Sequence, residues 1–259
     1  DEDVVHNMGR VDPVGDAEVI MTELVLADAE SVASQLQKNL KKARGQDKDA
    51  AANVALLERL VPHLDEGKPA NLLDMDEDER ERMKGFFLLS GKPMLYACNL
   101  KEEEIASPSS NPNLHLFREW ADGQQDAKCC VISAKMEEEL SELSDEDTLE
   151  YLDAMGVADS GVSSLIKATY DLLGLASFLT AGEKEARAWT FCKGMTAPQC
   201  AGVIHTDFEN SFIKAEVVSY DDLIASGSMQ KARDAGKLRL EGKEYLFSDG
   251  DVVLFKCNA

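Results

Sequence analysis

Two apolar runs that stop abruptly at polar residues constrain this chain more than any other feature. Met94-Leu95-Tyr96-Ala97-Cys98 ends in Asn99-Leu100-Lys101-Glu102, and Val131-Ile132 ends in Ser133-Ala134-Lys135. Each reads as a buried strand that delivers polar groups to its carboxyl end, which is where open α/β sheets place their ligands. The amphipathic segment Pro112 to Ala121 lies between them, so the interval forms one strand–helix–strand unit. An α/β domain with a binding edge at Asn99 and Ser133 is the expectation.

The spacing of Asn99 and Glu102 resembles the base-reading motif of P-loop GTPases, Asn-Lys-x-Asp, in the altered form Asn-x-x-Glu found in the Obg-like ATPase family, also called YchF. The second loop resembles the Ser-Ala-Lys loop that supports the base in that superfamily. A guanine-reading Asp accepts two hydrogen bonds from N–H groups on the guanine edge, which requires a carboxylate at a fixed reach and angle. Adenine offers an N6 donor beside an N1 acceptor, which a backbone C=O and N–H can match, and the resemblance places that contact at Leu100. A site without the donor-accepting carboxylate loses its preference for guanine, because an unpaired buried polar group costs about 1–3 kcal/mol. The implied base-binding residues are Asn99, Leu100, Glu102, Ser133, Ala134 and Lys135.

Ahead of these, His6-Asn7-Met8-Gly9-Arg10-Val11-Asp12-Pro13 is a turn-rich lead-in, and Ala17 to Leu24 reads as a mostly apolar strand. A similar His-x-x-Gly-x-Val-Asp-Pro segment stands in mid-domain in the Obg-like ATPases, so the resemblance implies a chain that begins halfway through a nucleotide-binding domain. The absence of an initiator Met and of any leader at Asp1-Glu2-Asp3 agrees with a piece of a longer protein.

Asp28 reads as an N-cap. Val32, Leu36, Leu40 and Ala43 then form one helical stripe, and Ala50, Val54, Leu57, Val61 and Leu64 form a second after the Gly45-Gln46-Asp47 break. Together they predict an antiparallel helical hairpin inserted into the α/β domain. Lys38, Lys41, Lys42, Arg44 and Lys48 cluster at its turn, either as a contact for RNA or an acidic partner or as a solvated helix end. Asp76 with Glu79 forms a capping-box pair for a helix running to Phe87, and Glu102 to Ser110 reads as a polar loop. Helices are expected over Met136–Leu143, Asp145–Met155 with Ser144 as cap, and Gly161–Leu173.

From Phe178 the pattern changes to short strands and turns: Arg187–Phe191, a hairpin turn at Lys193-Gly194, Ala215–Val218, Tyr245–Phe247 and Val252–Phe255, with Asp249-Gly250-Asp251 between the last two. This predicts a small mixed sheet around one or two helices. Arg-Ala-Trp-Thr, the stretch from Ala197-Pro198-Gln199 to Glu209, and Asp249-Gly250-Asp251-Val252 resemble the C-terminal TGS domain of the same family, a β-grasp module. His205, Thr206 and Asp207 stand side by side, but neighbours at a helix start do not converge on one point, so a cap at Thr206 or Asp207 or a partner contact is expected rather than catalysis.

The net charge is −22, and residues 177–259 carry 12 acids against 10 bases, net −2, which leaves −20 to residues 1–176. Such a surface repels phosphate backbones, so nucleic-acid contact should avoid most of the first two-thirds; a salt-adapted source is an alternative cause of the charge. Cys98, Cys129, Cys130, Cys192, Cys200 and Cys257 show neither Cys-x-x-Cys spacing nor a His pair, which argues against a zinc site or a disulfide framework and for a reducing cytoplasm. Cys98 and Cys130 read as small buried apolar residues in strands.

Phosphoryl transfer needs a Gly-rich loop with Lys and a metal-holding Ser/Thr and Asp. No Gly-x-x-x-x-Gly-Lys-[Ser/Thr] occurs here; in the family these parts lie upstream of the matching segment. The expected architecture is therefore part of a P-loop NTPase (Rossmann-like) domain, residues 1–26 and 88–176, a helical hairpin insertion at 27–87, and a β-grasp TGS domain at 177–259. No catalytic or metal residue is assigned. The resemblance implies a cytoplasmic, monomeric, ribosome-associated ATPase that uses ATP in preference to GTP with Mg2+, and that binds neither membrane nor sequence-specific DNA. The alternatives are a non-hydrolysing ribosome or protein adaptor and a GTPase with a relaxed base site.

Overall fold

The computed structural model describes residue 9, residues 11–182 and residues 185–258. The lead-in from His6 to Arg10 therefore lies, Gly9 apart, outside the described residues. The chain divides into two compact units, residues 1–169 and 170–259.

In the first unit, α1 spans Pro13–Ala43 and α2 Lys48–Asp65. The Asp12 carboxylate accepts from the Gly15 amide, and Pro13 starts α1 where no N–H is needed. Asp47 caps α2 in the same way through the Ala50 amide. The two helices bury Val25 and Val32 against Leu56, Leu57, Leu60 and Leu64, and Met75, Phe86 and Leu88 close the end of this core. The strand expected over Ala17–Leu24 is instead the first third of α1. Its inward residues, Leu24, Val25, Asp28 and Val32, recur every three or four positions rather than every two, while Val19 and Ile20 are exposed. The Thr22 hydroxyl bonds the Glu18 carbonyl, as a helix permits.

Asp28 is not an N-cap. It sits inside α1, 2% exposed, and its carboxylate accepts from the Leu89 amide (2.7 Å), the Ser90 amide (2.7 Å) and the Ser90 hydroxyl (2.6 Å). The Ser90 oxygen in turn accepts from the Ala70 amide at 3.0 Å. One carboxylate thus fixes the segment leading into the first strand to the middle of the long helix.

After α3 (Glu77–Lys84), whose Asp76–Glu79 capping box is formed, β1 (Met94–Asn99) pairs in parallel with β2 (Ala127–Ile132), from Met94 opposite Ala127 to Asn99 opposite Ile132. Between them, α4 (Glu102–Ile105) and a short 3-10 turn replace the expected polar loop, and α5 (Pro112–Asp122) buries Leu114, Phe117 and Ala121. Tyr96 meets Phe117 and Trp120 edge-on, with ring centroids 5.2 and 5.5 Å away. Then follow α6 (Ala134–Leu140), α7 (Asp145–Met155) and α8 (Gly161–Leu172). The left-handed Gly156, φ +69°, ends α7. Gly161 brings the start of α8 so close to β2 that a Cβ there would stand 3.1 Å from the Ile132 Cα and 2.9 Å from Glu137 Oε1. Substituting Gly161 with Ala is expected to destabilise the first unit by about 1–2 kcal/mol in urea denaturation, because the contact is partly backbone and cannot swing away.

The second unit holds β3 (Leu175–Ala181), β4 (Ala186–Cys192), α9 (Ala197–Ile204), α10 (Thr206–Asn210), β5 (Phe212–Ser219), α11 (Tyr220–Ser226), α12 (Met229–Asp234), β6 (Arg239–Glu241) and β7 (Asp251–Cys257). The sheet order is β4-β3-β7-β5-β6, with β3 and β7 parallel and the other pairs antiparallel. Phe178, Phe191, Phe212 and Phe247 pack with Ala197, Cys200 and Ala201 of α9 into its core. Two expected features differ. Lys193-Gly194 does not turn a hairpin but leads from β4 into α9. Residues 245–247 do not pair with β7; Leu246 bridges Thr196, and Tyr245 instead donates its hydroxyl to the buried Asp251 at 2.7 Å. The Asp249–Gly250 turn is held by β3, since Ser177 N–H bonds Asp249 Oδ1 and Gly250 N–H bonds the Ser177 carbonyl.

Candidate nucleotide-base pocket

The parallel register carries the last residues of β1 and β2 to the same edge. The Leu100 amide donates to the Ile132 carbonyl at 2.8 Å, extending the ladder by one rung. The loops then diverge, and Asn99 Oδ1 accepts the Ala134 amide at 2.9 Å, tying them together. Lys101 precedes α4 and its N–H meets Glu104 Oε2 at 3.3 Å, while Asn111, the cap of α5, donates to Glu104 Oε1 at 3.0 Å.

A cleft of ≈ 780 Å³ opens at this edge, within the range of small-molecule sites. All six residues singled out from sequence, Asn99, Leu100, Glu102, Ser133, Ala134 and Lys135, line it. Tyr96 and Phe117 supply an apolar wall, and Pro13, Asp16 and Ala17 at the start of α1 supply another. Ser133 is 1% exposed and its hydroxyl has no partner among the described residues, and the same holds for the buried Tyr96 hydroxyl. Both residues line the cleft, but the two hydroxyl oxygens are themselves buried.

Glu102 begins α4, and its carboxylate turns to neighbours within the protein. Oε1 accepts from the Tyr151 hydroxyl of α7 at 2.8 Å, and Oε2 lies 3.7 Å from Lys135 Nζ. The same hydroxyl stands 3.0 Å from Glu139 Oε2. These carboxylates, Glu102 foremost, raise the Tyr151 pKa well above the usual phenol value, so it stays a donor. Tyr151 was not foreseen from the sequence. It stands 49 residues from Glu102, and no motif links the two.

Burial pushes the Cys98 thiol up to about 12 and raises that of Cys130, so neither is poised as a nucleophile. Cys98 is only partly buried, whereas Cys130 is buried as expected. His205 is itself the cap of α10, with Nδ1 accepting from the Asp207 amide at 3.2 Å, in place of the caps expected at Thr206 or Asp207. Among the described residues no group of three or more His, Cys, Asp or Glu side chains could hold a metal ion. No helix among the described residues is long and apolar enough to cross a membrane.

Residues 175–258 match the family model described as YchF-GTPase_C, a protein of unknown function (DUF933). Over its whole length the chain is 47% identical to the "Ribosome-binding ATPase YchF" of Bacillus subtilis, covering 70% of that relative. It is 40% identical to the "Obg-like ATPase 1" of Rattus norvegicus, again over its whole length and 66% of the relative. Among solved structures, the Schizosaccharomyces pombe YchF GTPase aligns with a TM-score of 0.78 and 32% identity over 99% of this chain and 69% of that one.

Proposed function

This chain belongs to the Obg-like ATPase (YchF) family, and from that premise we propose that it supplies the base-reading side of a nucleotide site that takes ATP in preference to GTP. The observation that carries the proposal is the Asn99–Ala134 tie, which holds the Asn99 and Ser133 loops together along one wall of the cleft. Asn99 would contact the base, with Ser133, Ala134 and Lys135 supporting it. The Leu100 N–H is already spent on Ile132, so its C=O is the part left for the adenine amino group. Guanine would need both oxygens of the Glu102 carboxylate turned to its N–H edge, and Tyr151 and Lys135 orient that carboxylate instead.

The phosphates and Mg2+ would be held outside the residues described here, in the part of the relatives that this chain does not cover. We read α1 and α2 as the helical hairpin inserted in the nucleotide-binding domain, starting at Pro13 rather than at residue 27. We read residues 177–259 as the TGS domain, a reading supported by the mixed sheet with its parallel β3–β7 pair and by the packing of α9. By likeness to relatives called ribosome-binding ATPases, we read the protein as acting at the ribosome and hydrolysing ATP when its phosphate-binding part is present.

Titrating ATP into the isotope-labelled 259-residue chain tests the base assignment, since amide resonances report weak binding. Shifts are expected at Asn99, Leu100, Ser133 and Ala134. A chain whose amides there do not move would favour the adaptor without turnover.

A further inference from the structure

We infer that Tyr151 is a specificity-positioning residue of this pocket: its hydroxyl, bonded to Glu102 Oε1, holds that carboxylate away from the N–H edge of guanine. The inference rests on the base-pocket reading above and names the group that enforces its preference.

The Tyr151 hydroxyl donates to Glu102 Oε1 at 2.8 Å, and Lys135 Nζ lies 3.7 Å from Oε2, so both carboxylate oxygens have a protein partner. The Tyr151 ring is fixed by packing, because it joins Met136, Leu140, Leu152 and Val157 in a small apolar cluster. Ile105 of α4 enters the same cluster, so the helix that carries Glu102 is anchored to α7 through both its apolar side and its carboxylate. Glu102 lines the cleft and is partly buried, with a side-chain exposure of 25%, so turning its carboxylate toward a bound base would break its bond to Tyr151.

Guanine presents two N–H donors side by side and is read by a carboxylate that accepts both. A carboxylate keeps further lone pairs, but one bonded through Oε1 to a phenol and facing an ammonium group at Oε2 has its reach and angle set by those partners rather than by the base. Adenine asks nothing of that carboxylate, so the tether lowers GTP affinity and leaves ATP affinity nearly alone. Glu139, 3.0 Å from the same phenol oxygen, competes for its single proton but lies on α6 and does not line the cleft. The shorter of the two contacts, 2.8 Å to Glu102, is the tether.

The test compares ATP and GTP dissociation constants, read from amide shifts with magnesium present, for the wild-type chain and for Tyr151→Phe. The substitution keeps the ring in its cluster and removes the donor. GTP affinity is expected to rise about 3- to 10-fold, the equivalent of one hydrogen bond no longer surrendered, with ATP affinity within about twofold. Adding Glu102→Gln to Tyr151→Phe should abolish the gain, since an amide cannot accept both guanine donors, whereas a loosened fold would weaken both nucleotides alike. If ATP shifts the Asn99 and Ser133 amides but the ATP-to-GTP ratio is the same in Tyr151→Phe and wild type, the tether is wrong and the base pocket stands. If neither nucleotide moves those amides, the pocket reading falls and takes this inference with it.

Discussion

Replacing Asp28 with Ala is expected to lower the stability of the first unit by about 3–5 kcal/mol, because three buried donors lose one shared acceptor. Three donors, the Leu89 and Ser90 amides and the Ser90 hydroxyl, converge on this carboxylate within 2.6–2.7 Å. Alanine leaves all three without an acceptor in a site that is 2% exposed, and each unsatisfied donor costs about 1–3 kcal/mol before relaxation. The Ser90 oxygen also receives the Ala70 amide, so the loss should spread to the turn beside α2. Asn at position 28 keeps one acceptor but directs an amide at these donors, and it should fall between wild type and Ala. Urea denaturation followed by far-UV circular dichroism checks the order wild type, Asn, Ala. An Ala variant within about 1 kcal/mol of wild type would mean that these bonds contribute no more than ordinary surface bonds do.

Asn99→Ala is expected to weaken ATP binding by about 10- to 100-fold while changing stability by less than about 1 kcal/mol. The side chain is exposed and carries no core packing, so its removal leaves the fold intact. What disappears in the proposed site is a contact to the base, at about 0.5–1.5 kcal/mol, together with the acceptor for the Ala134 amide that holds the second loop in place. The lost contact accounts for the lower end of the range and the loosened loop for the rest. Calorimetry with ATP, alongside a denaturation curve of the same variant, separates the two effects. A variant that binds ATP as well as wild type would remove Asn99 from the site.

The contrast between these two positions shows what could be read from the sequence. Asn99 was legible because an apolar strand run stops at it, and the same pattern at Val131-Ile132 marked the second loop; strand ends depend on local sequence that a reader can see. The caps at Asp76 and Ser144 were equally local. Asp28 misled for the same reason. An Asp ahead of an apolar stripe looks like a cap, and only the approach of Leu89 and Ser90, more than 60 positions away, makes it a buried acceptor instead. Ala17–Leu24 was misread because its apolar residues are dense enough to satisfy either period, and the choice is made by packing against α2 further along the same helix. The Tyr151–Glu102 bond left no trace in the sequence, since neither residue type nor spacing implies that α7 returns to the end of β1. In the second unit the short apolar runs of β4, β5 and β7 were readable, but Tyr245–Phe247 resembled a strand and instead sends Phe247 into the core and the Tyr245 hydroxyl to Asp251.

The most direct test of the account is calorimetric titration of ATP and then GTP, with magnesium, into this chain joined to the part of the Bacillus subtilis relative that it does not cover. The expected result is tight binding with ATP preferred over GTP, and loss of most of that affinity in Asn99→Ala. Preference for GTP, or binding indifferent to Asn99, would contradict the claim that the ends of β1 and β2 read adenine.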